Sequence, residues 1–241
     1  MNEIVDSIER GVATIVLNRP AKANANALDA PTVEALHAAL DHAFAAPAHL
    51  IVLRAEGRNF CAGFDFSGFE DTSASELCWR FIRIEQFLQR LAHAPCSTMA
   101  LAQGGCFGAG ADLVQACHER LATPDARFCM PGWRFGLALG TRRLVARIGA
   151  DGARRLLESA AILDAGAAAH ARLIDTVADH ADWQAHVDAA RTASSAIAPE
   201  AHARLAIIVT ADTRTLDMAS LVESLAAGDL KARIRAFRAG A

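Results

Sequence analysis

Two short apolar runs, Leu50-Ile51-Val52-Leu53 and Met99-Ala100-Leu101-Ala102, each give way to a turn of small residues. No other feature restricts the possible folds of this chain as much. Four consecutive apolar residues without alternation mark a strand covered on both faces, as in parallel sheets. Between the runs, Leu77, Phe81, Ile84, Phe87, Leu88 and Leu91 recur at helical spacing and predict a helix over 75–92. Strand, turn, helix and strand form a right-handed crossover that gathers the turns at one end of a parallel sheet, the usual place for a ligand.

The flanking sequence extends this α/β reading. Residues 3–17 hold two β-rich runs broken by Glu9-Arg10-Gly11, a hairpin signal. Asp29 stands as a helix cap, with Pro31 in the first turn and Val33, Leu36, Leu40 and Phe44 on one face up to Pro47. Beyond Gly136 the pattern is helical over 142–148, 153–160, 164–171 and 183–197 and in further segments to Phe237, with a short strand candidate at 173–178. The chain divides softly into an α/β body, 1–195, and a helical tail, 196–241. Helices as short as those of the tail need a surface to bury against, and oligomerisation would supply one.

Composition excludes several classes of function. With 24 Lys+Arg against 27 Asp+Glu there is no cationic excess for nucleic acid. At 53% hydrophobic, 241 residues bury a substantial core and are not disordered. The first residues lack the pattern of a leader, and no 18-residue apolar stretch occurs, so the expectation is a soluble cytoplasmic protein with no membrane partner. Cysteines 61, 78, 96, 106, 117 and 129 form no C-x-x-C pair and read as buried free thiols. Asp112, His118 and Glu119 have the wrong offsets for a ligand set, so no metal is expected.

The chemistry points to the two turns. Gly104-Gly105-Cys106-Phe107-Gly108-Ala109-Gly110 lacks both the G-x-G-x-x-G spacing and a following Lys, which argues against a nucleotide site. A strand-to-helix turn of this kind leaves backbone N–H groups free in front of a helix dipole, a geometry suited to an oxyanion, although a plain tight turn has the same sequence. The turn Phe60-Cys61-Ala62-Gly63-Phe64-Asp65 has similar character. One N–H from each turn would suffice to polarise a carbonyl, if the turns meet.

These segments, with Leu17-Asn18-Arg19-Pro20, Asn26-Ala27-Leu28-Asp29, Gly136-Leu137, Arg142-Arg143-Leu144 and the stretch 165–177, resemble in order the signatures of the crotonase (enoyl-CoA hydratase/isomerase) superfamily. The resemblance implies a crotonase-like spiral of β-β-α units with a C-terminal helical trimerisation region, a trimer or dimer of trimers, and a coenzyme A thioester as substrate with no separate cofactor. It implies that the N–H groups of Phe64 and Ala109 form an oxyanion hole that stabilises an enolate, with Asp112 at the position of a catalytic carboxylate. It places coenzyme A and its acyl group against Lys22, Ala62, Gly63, Asp65, Gly108, Gly110, Pro131, Gly132 and Trp133.

Two departures stand out. The first family glutamate is matched by Asp112, shorter by roughly 1.5 Å. The second would follow Pro131, where this chain has Gly132. Asp112 therefore reads either as a general base or as an inert carboxylate, Trp133 as pocket wall or interior aromatic, and Asp65 as a pin for its own loop. His93, His118 and His170 match no acid position. The reaction implied is that of an enoyl-CoA hydratase/isomerase, a lyase or isomerase of fatty acid metabolism. The alternatives are a decarboxylase or thioesterase of the same fold and a non-catalytic acyl-CoA-binding or assembly subunit.

Overall fold

A computed structural model describes residues 3–19 and 26–240. Strands β1 (Ile4–Glu9) and β2 (Val12–Leu17) form the expected hairpin, with Ile4 opposite Leu17. Its two turn residues, Arg10 and Gly11, both have positive φ, as a two-residue turn matching strand twist requires. Helix α1 (Ala30–Ala45) is capped by the Asp29 carboxylate, which accepts from the Thr32 N–H at 2.9 Å. Then come β3 (Leu50–Ala55), α2 (Ala74–Ala92) and β4 (Ser97–Ala102), the crossover read from the sequence.

The chain continues through β5 (Gly105–Phe107), α3 (Ala109–Ala116), β6 (Glu119–Ala122) and β7 (Arg127–Cys129). A single 3-10 turn over Gly132–Phe135 leads to α4 (Thr141–Ser159), β8 (Leu163–Asp164), α5 (Ala165–His170) and β9 (Thr176–Val177). Four helices close the chain: α6 (Trp183–Ser195), α7 (Pro199–Val209), α8 (Arg214–Ala226) and α9 (Leu230–Ala239). A six-stranded sheet has the order β1-β2-β3-β4-β6-β9 and is parallel from β2 onward; β5, β7 and β8 make a second, smaller sheet.

The unalternating strands are covered on both faces. Ile51, Leu53, Ala100 and Ala102 face the main core with α1, α2 and α3, while Leu50, Val52, Met99 and Leu101 face a second cluster that holds Trp183 and Ala190 of α6. A parallel sheet buried on one side only would have shown alternation instead.

The structure departs from the sequence reading in three places. The helices at 142–148 and 153–160 are one element, α4, interrupted at Gly149 (φ 76°, ψ 163°). The strand at 173–178 shrinks to Thr176–Val177, because Leu173 and Ile174 are buried in a loop rather than paired. Strands β5 to β8 gave no periodic signal, being only two to four residues long. In the tail, α8 and α9 bury Leu221, Leu225, Leu230 and Ile234 in the main core, whereas Ile207, Ile208 and Val209 of α7 are 68–77% exposed. All six cysteines are free, four of them buried. Among the described residues no helix is long and apolar enough to cross a membrane, and no His, Cys, Asp or Glu cluster could hold a metal ion.

Candidate active site

The two small-residue turns meet. Phe60 N–H donates to the Gln103 carbonyl at 2.8 Å, Cys61 N–H to Gly105 at 3.1 Å, and Phe107 N–H back to Cys61 at 2.9 Å, so the loop after β3 is zipped against the one after β4. Gly63 sits at the junction with φ +87°, and a Cβ there would stand 2.5 Å from the Phe107 carbonyl oxygen and 3.3 Å from the Ala109 nitrogen. Glycine is what lets the backbones approach this closely. At Gly110 a Cβ would collide with Cys61.

This packing leaves two N–H groups unused. The Gly63 carbonyl accepts from Leu28 at 2.7 Å and the Asp65 N–H donates to Leu28 at 3.1 Å, which turns the intervening Phe64 N–H the other way. Ala109 is the first residue of α3, and its N–H has no intrahelical acceptor. Among the described residues neither group donates to a protein acceptor. Two adjacent donors, one of them at a helix N-terminus, can hold the negative oxygen of a polarised carbonyl.

Both turns border a cavity of about 180 Å³ lined by Ala62, Gly63, Phe64, Gly108, Ala109, Asp112, Pro131, Gly132 and Trp133. Nine of the residues singled out from the sequence thus come together. Asp65 and Gly110 lie beside the cavity without lining it, and Lys22 lies outside the described residues. Asp65 holds its loop: its carboxylate faces the Arg19 guanidinium at 3.4 Å and accepts from the Ser67 N–H at 2.9 Å. Burial works to raise its pKa, but those hydrogen bonds and the Arg19 charge outweigh it and leave the pKa below the ordinary value. Trp133 is half exposed, and its indole N–H donates to the Thr141 hydroxyl at 3.1 Å.

Asp112 is the sole ionisable group among the described residues lining the cavity. One helical turn into α3, it is 3% exposed, and its Oδ1 has no hydrogen-bond partner among the described residues. Burial pushes its pKa up to about 8; the nearby Arg143 charge opposes the shift and Glu85 adds to it. Any side chain on Gly140 would overlap the carboxylate, so the φ +66° glycine ahead of α4 makes room for it. Behind lies a buried ionic layer, in which Arg143 of α4 is bidentate to Glu85 of α2 at 2.5 and 2.9 Å and stands 3.7 Å from Asp217 of α8. Gln89 donates to Glu85 at 2.9 Å.

The sequence reading named the donors and the acid but not most of the walls. Phe66, Phe107, Met130, Phe135, Leu139, Leu157 and Phe237 line the same cavity from seven different elements and loops. Only the fold brings them together. His118 is structural, its Nδ1 accepting from Thr98 N–H at 3.1 Å, and burial lowers its pKa to about 4.

Comparison with known proteins agrees with this architecture. The family model described as enoyl-CoA hydratase/isomerase matches residues 7–229. A Mycobacterium bovis protein named "Probable enoyl-CoA hydratase" is 38% identical over 192 residues, covering 77% of this chain and 75% of its own. An ethylmalonyl-CoA decarboxylase of Gallus gallus is 31% identical over 153 residues, 58% of this chain and 49% of its own. The crystal structure of a Bordetella parapertussis protein carrying an enoyl-CoA hydratase/isomerase name superposes with a TM-score of 0.97 at 42% identity, over 99% of both chains. The fold and the paired turns define a crotonase-fold protein. The chain belongs to the enoyl-CoA hydratase/isomerase family.

Proposed function

We propose that this chain moves a proton on an enoyl-CoA thioester through an enolate, with Asp112 as both acid and base. One observation carries the reading: among the described residues, two backbone N–H groups without a protein acceptor adjoin a cavity that also holds a single buried carboxylate with no hydrogen-bond partner on Oδ1. The Phe64 and Ala109 N–H groups donate to the thioester carbonyl oxygen, so that its charge develops against fixed dipoles in a dry site. Asp112 takes the C2 proton of a 3-enoyl thioester, the electron pair shifts toward that oxygen, and the same carboxyl returns the proton to C4. A group that must both take and give a proton works best with a pKa near the ambient pH, and burial brings Asp112 to about 8.

Gly132 supplies no second carboxylate beside the cavity. Addition of water calls for one group to activate the water and another to share its proton, so isomerisation is favoured over hydration. In this reading the Lys22 segment and residues 62–65 hold the coenzyme A portion, and the protein is cytoplasmic. A trimer or dimer of trimers, assembled over the exposed Ile207, Ile208 and Val209, completes the reading.

The test is absorbance at the enoyl-thioester band with 3-hexenoyl-CoA and crotonyl-CoA in parallel. A rise with the first substrate, absent in Asp112→Asn, is expected. No change with either, while coenzyme A still binds, would remove this reading. It would leave decarboxylation, which needs the oxyanion hole but not a second acid and which the similarity to the decarboxylase of Gallus gallus supports.

A further inference from the structure

One wall of the cavity is a continuous train of aromatic rings. Phe81 stacks on Phe64 with centroids 4.1 Å apart and planes at 15°; Phe64 meets Phe66 at 5.0 Å, Phe66 meets Phe135 edge-on at 6.1 Å, and Phe135 meets Phe237 at 5.1 Å. All five line the cavity. They come from the Gly63 turn, α2, the 3-10 turn after Pro131 and α9, so no local sequence pattern dictates the arrangement.

The last ring is held in place. Helix α9 buries Leu230 and Ile234 in the core, and Arg233 donates to the Phe135 carbonyl at 2.9 Å and to the Ser224 carbonyl at 2.8 Å. A chain long enough to pass Phe237 would have to move this anchored helix. The volume sets a second limit, because an apolar cavity of about 150 Å³ takes up one benzene ring. At about 180 Å³ this one has room for a ring and little more. Ring faces and edges at centroid separations of 4.5–7 Å favour another aromatic group over an alkyl chain of equal area.

We propose that the acyl group this site takes is short and ends in a single aryl ring, borne on C4 of the 3-enoyl chain, with phenylacetyl-CoA as the unreactive probe of ring binding, and that long alkyl chains are excluded by Phe237. The proposal rests on the acyl-CoA reading of the site, and calorimetric titration separates the two. Coenzyme A, crotonyl-CoA, phenylacetyl-CoA and palmitoyl-CoA are titrated into the full chain. Phenylacetyl-CoA is expected to bind about tenfold tighter than crotonyl-CoA, and palmitoyl-CoA no tighter than crotonyl-CoA. Palmitoyl-CoA binding more tightly than phenylacetyl-CoA would overturn the aryl proposal and leave the acyl-CoA reading intact. If neither coenzyme A nor any thioester binds, both fall. Phe237→Ala is expected to tighten palmitoyl-CoA about tenfold and weaken phenylacetyl-CoA. Phe237→Leu, which keeps an apolar side chain on α9, serves as the folding control by its melting temperature. An unchanged ranking in a folded Phe237→Ala protein would overturn the role given to Phe237.

Discussion

The two sides of the cavity are built on different principles. One side presents backbone N–H groups, fixed by the junction of the loops after β3 and β4 and indifferent to the side chain that carries them, so bulky Phe64 serves as well as a small residue. The other presents one side chain, Asp112, whose state depends on everything around it: Gly140 for space, Arg143 for charge, and burial for its raised pKa. A backbone function tolerates substitution at the donor residue and fails when the neighbouring glycine changes. A side-chain function fails at the residue itself and shifts with each neighbour.

The largest expected effect lies behind the carboxylate. Arg143→Met leaves Glu85 buried without its cation and should cost about 3–5 kcal/mol of stability, read from denaturant titration. A cost below about 1 kcal/mol would mean that the ionic layer is not needed for the fold. Next, Gly63→Ala forces a Cβ onto the Phe107 carbonyl and should lower kcat by about 10²–10³-fold, the usual worth of an oxyanion donor, with Asp112 untouched.

Asp112→Asn should lower kcat about 10²-fold or more yet raise the melting temperature. The folded-state pKa of Asp112 is raised to about 8, so between its unfolded value and 8 the folded chain binds more protons than the unfolded one. Its contribution therefore favours folding at low pH and is lost progressively as pH rises toward 8. A neutral amide removes that cost, and a gain of at least about 1 kcal/mol, or roughly 2–4 °C, is expected at pH 7. The same pKa predicts that kcat/KM of the isomerase reaction rises with pH and levels off above about 8, since the free enzyme must start with the carboxylate ionised. A flat profile from pH 6 to 9 would refute Asp112 as the base. The smallest effect belongs to Phe64→Leu, which keeps the N–H and should hold kcat within about threefold. A loss as large as that of Gly63→Ala would break the distinction between the two sides.

Much of the fold was legible because burial on both faces leaves a strong mark. Leu50–Leu53 and Met99–Ala102 could be read as sheet-interior strands, and Asp29 as the cap of the first helix, where the structure has it. The short strands β5 to β8 left no mark, since two to four residues cannot show a period. The turns were legible as small-residue runs, but their contact was not, because nothing local in Gly63 specifies Ala109 as its neighbour. Asp112 was visible as an acid in a helix, whereas its raised pKa comes from burial by the folded chain, with Glu85 adding to the shift and Arg143 opposing it, both more than twenty residues away in the chain.

By itself, the sequence determined which backbone segments become strands, which glycines can take positive φ, and which position holds a carboxylate, since these follow from side-chain periodicity and steric freedom. Tertiary structure alone decided that the two turns share one cavity, that Asp112 is deprived of water, and that five phenylalanines from four segments form one wall. Dielectric environment and long-range packing belong to the three-dimensional neighbourhood, and no window along the chain contains it.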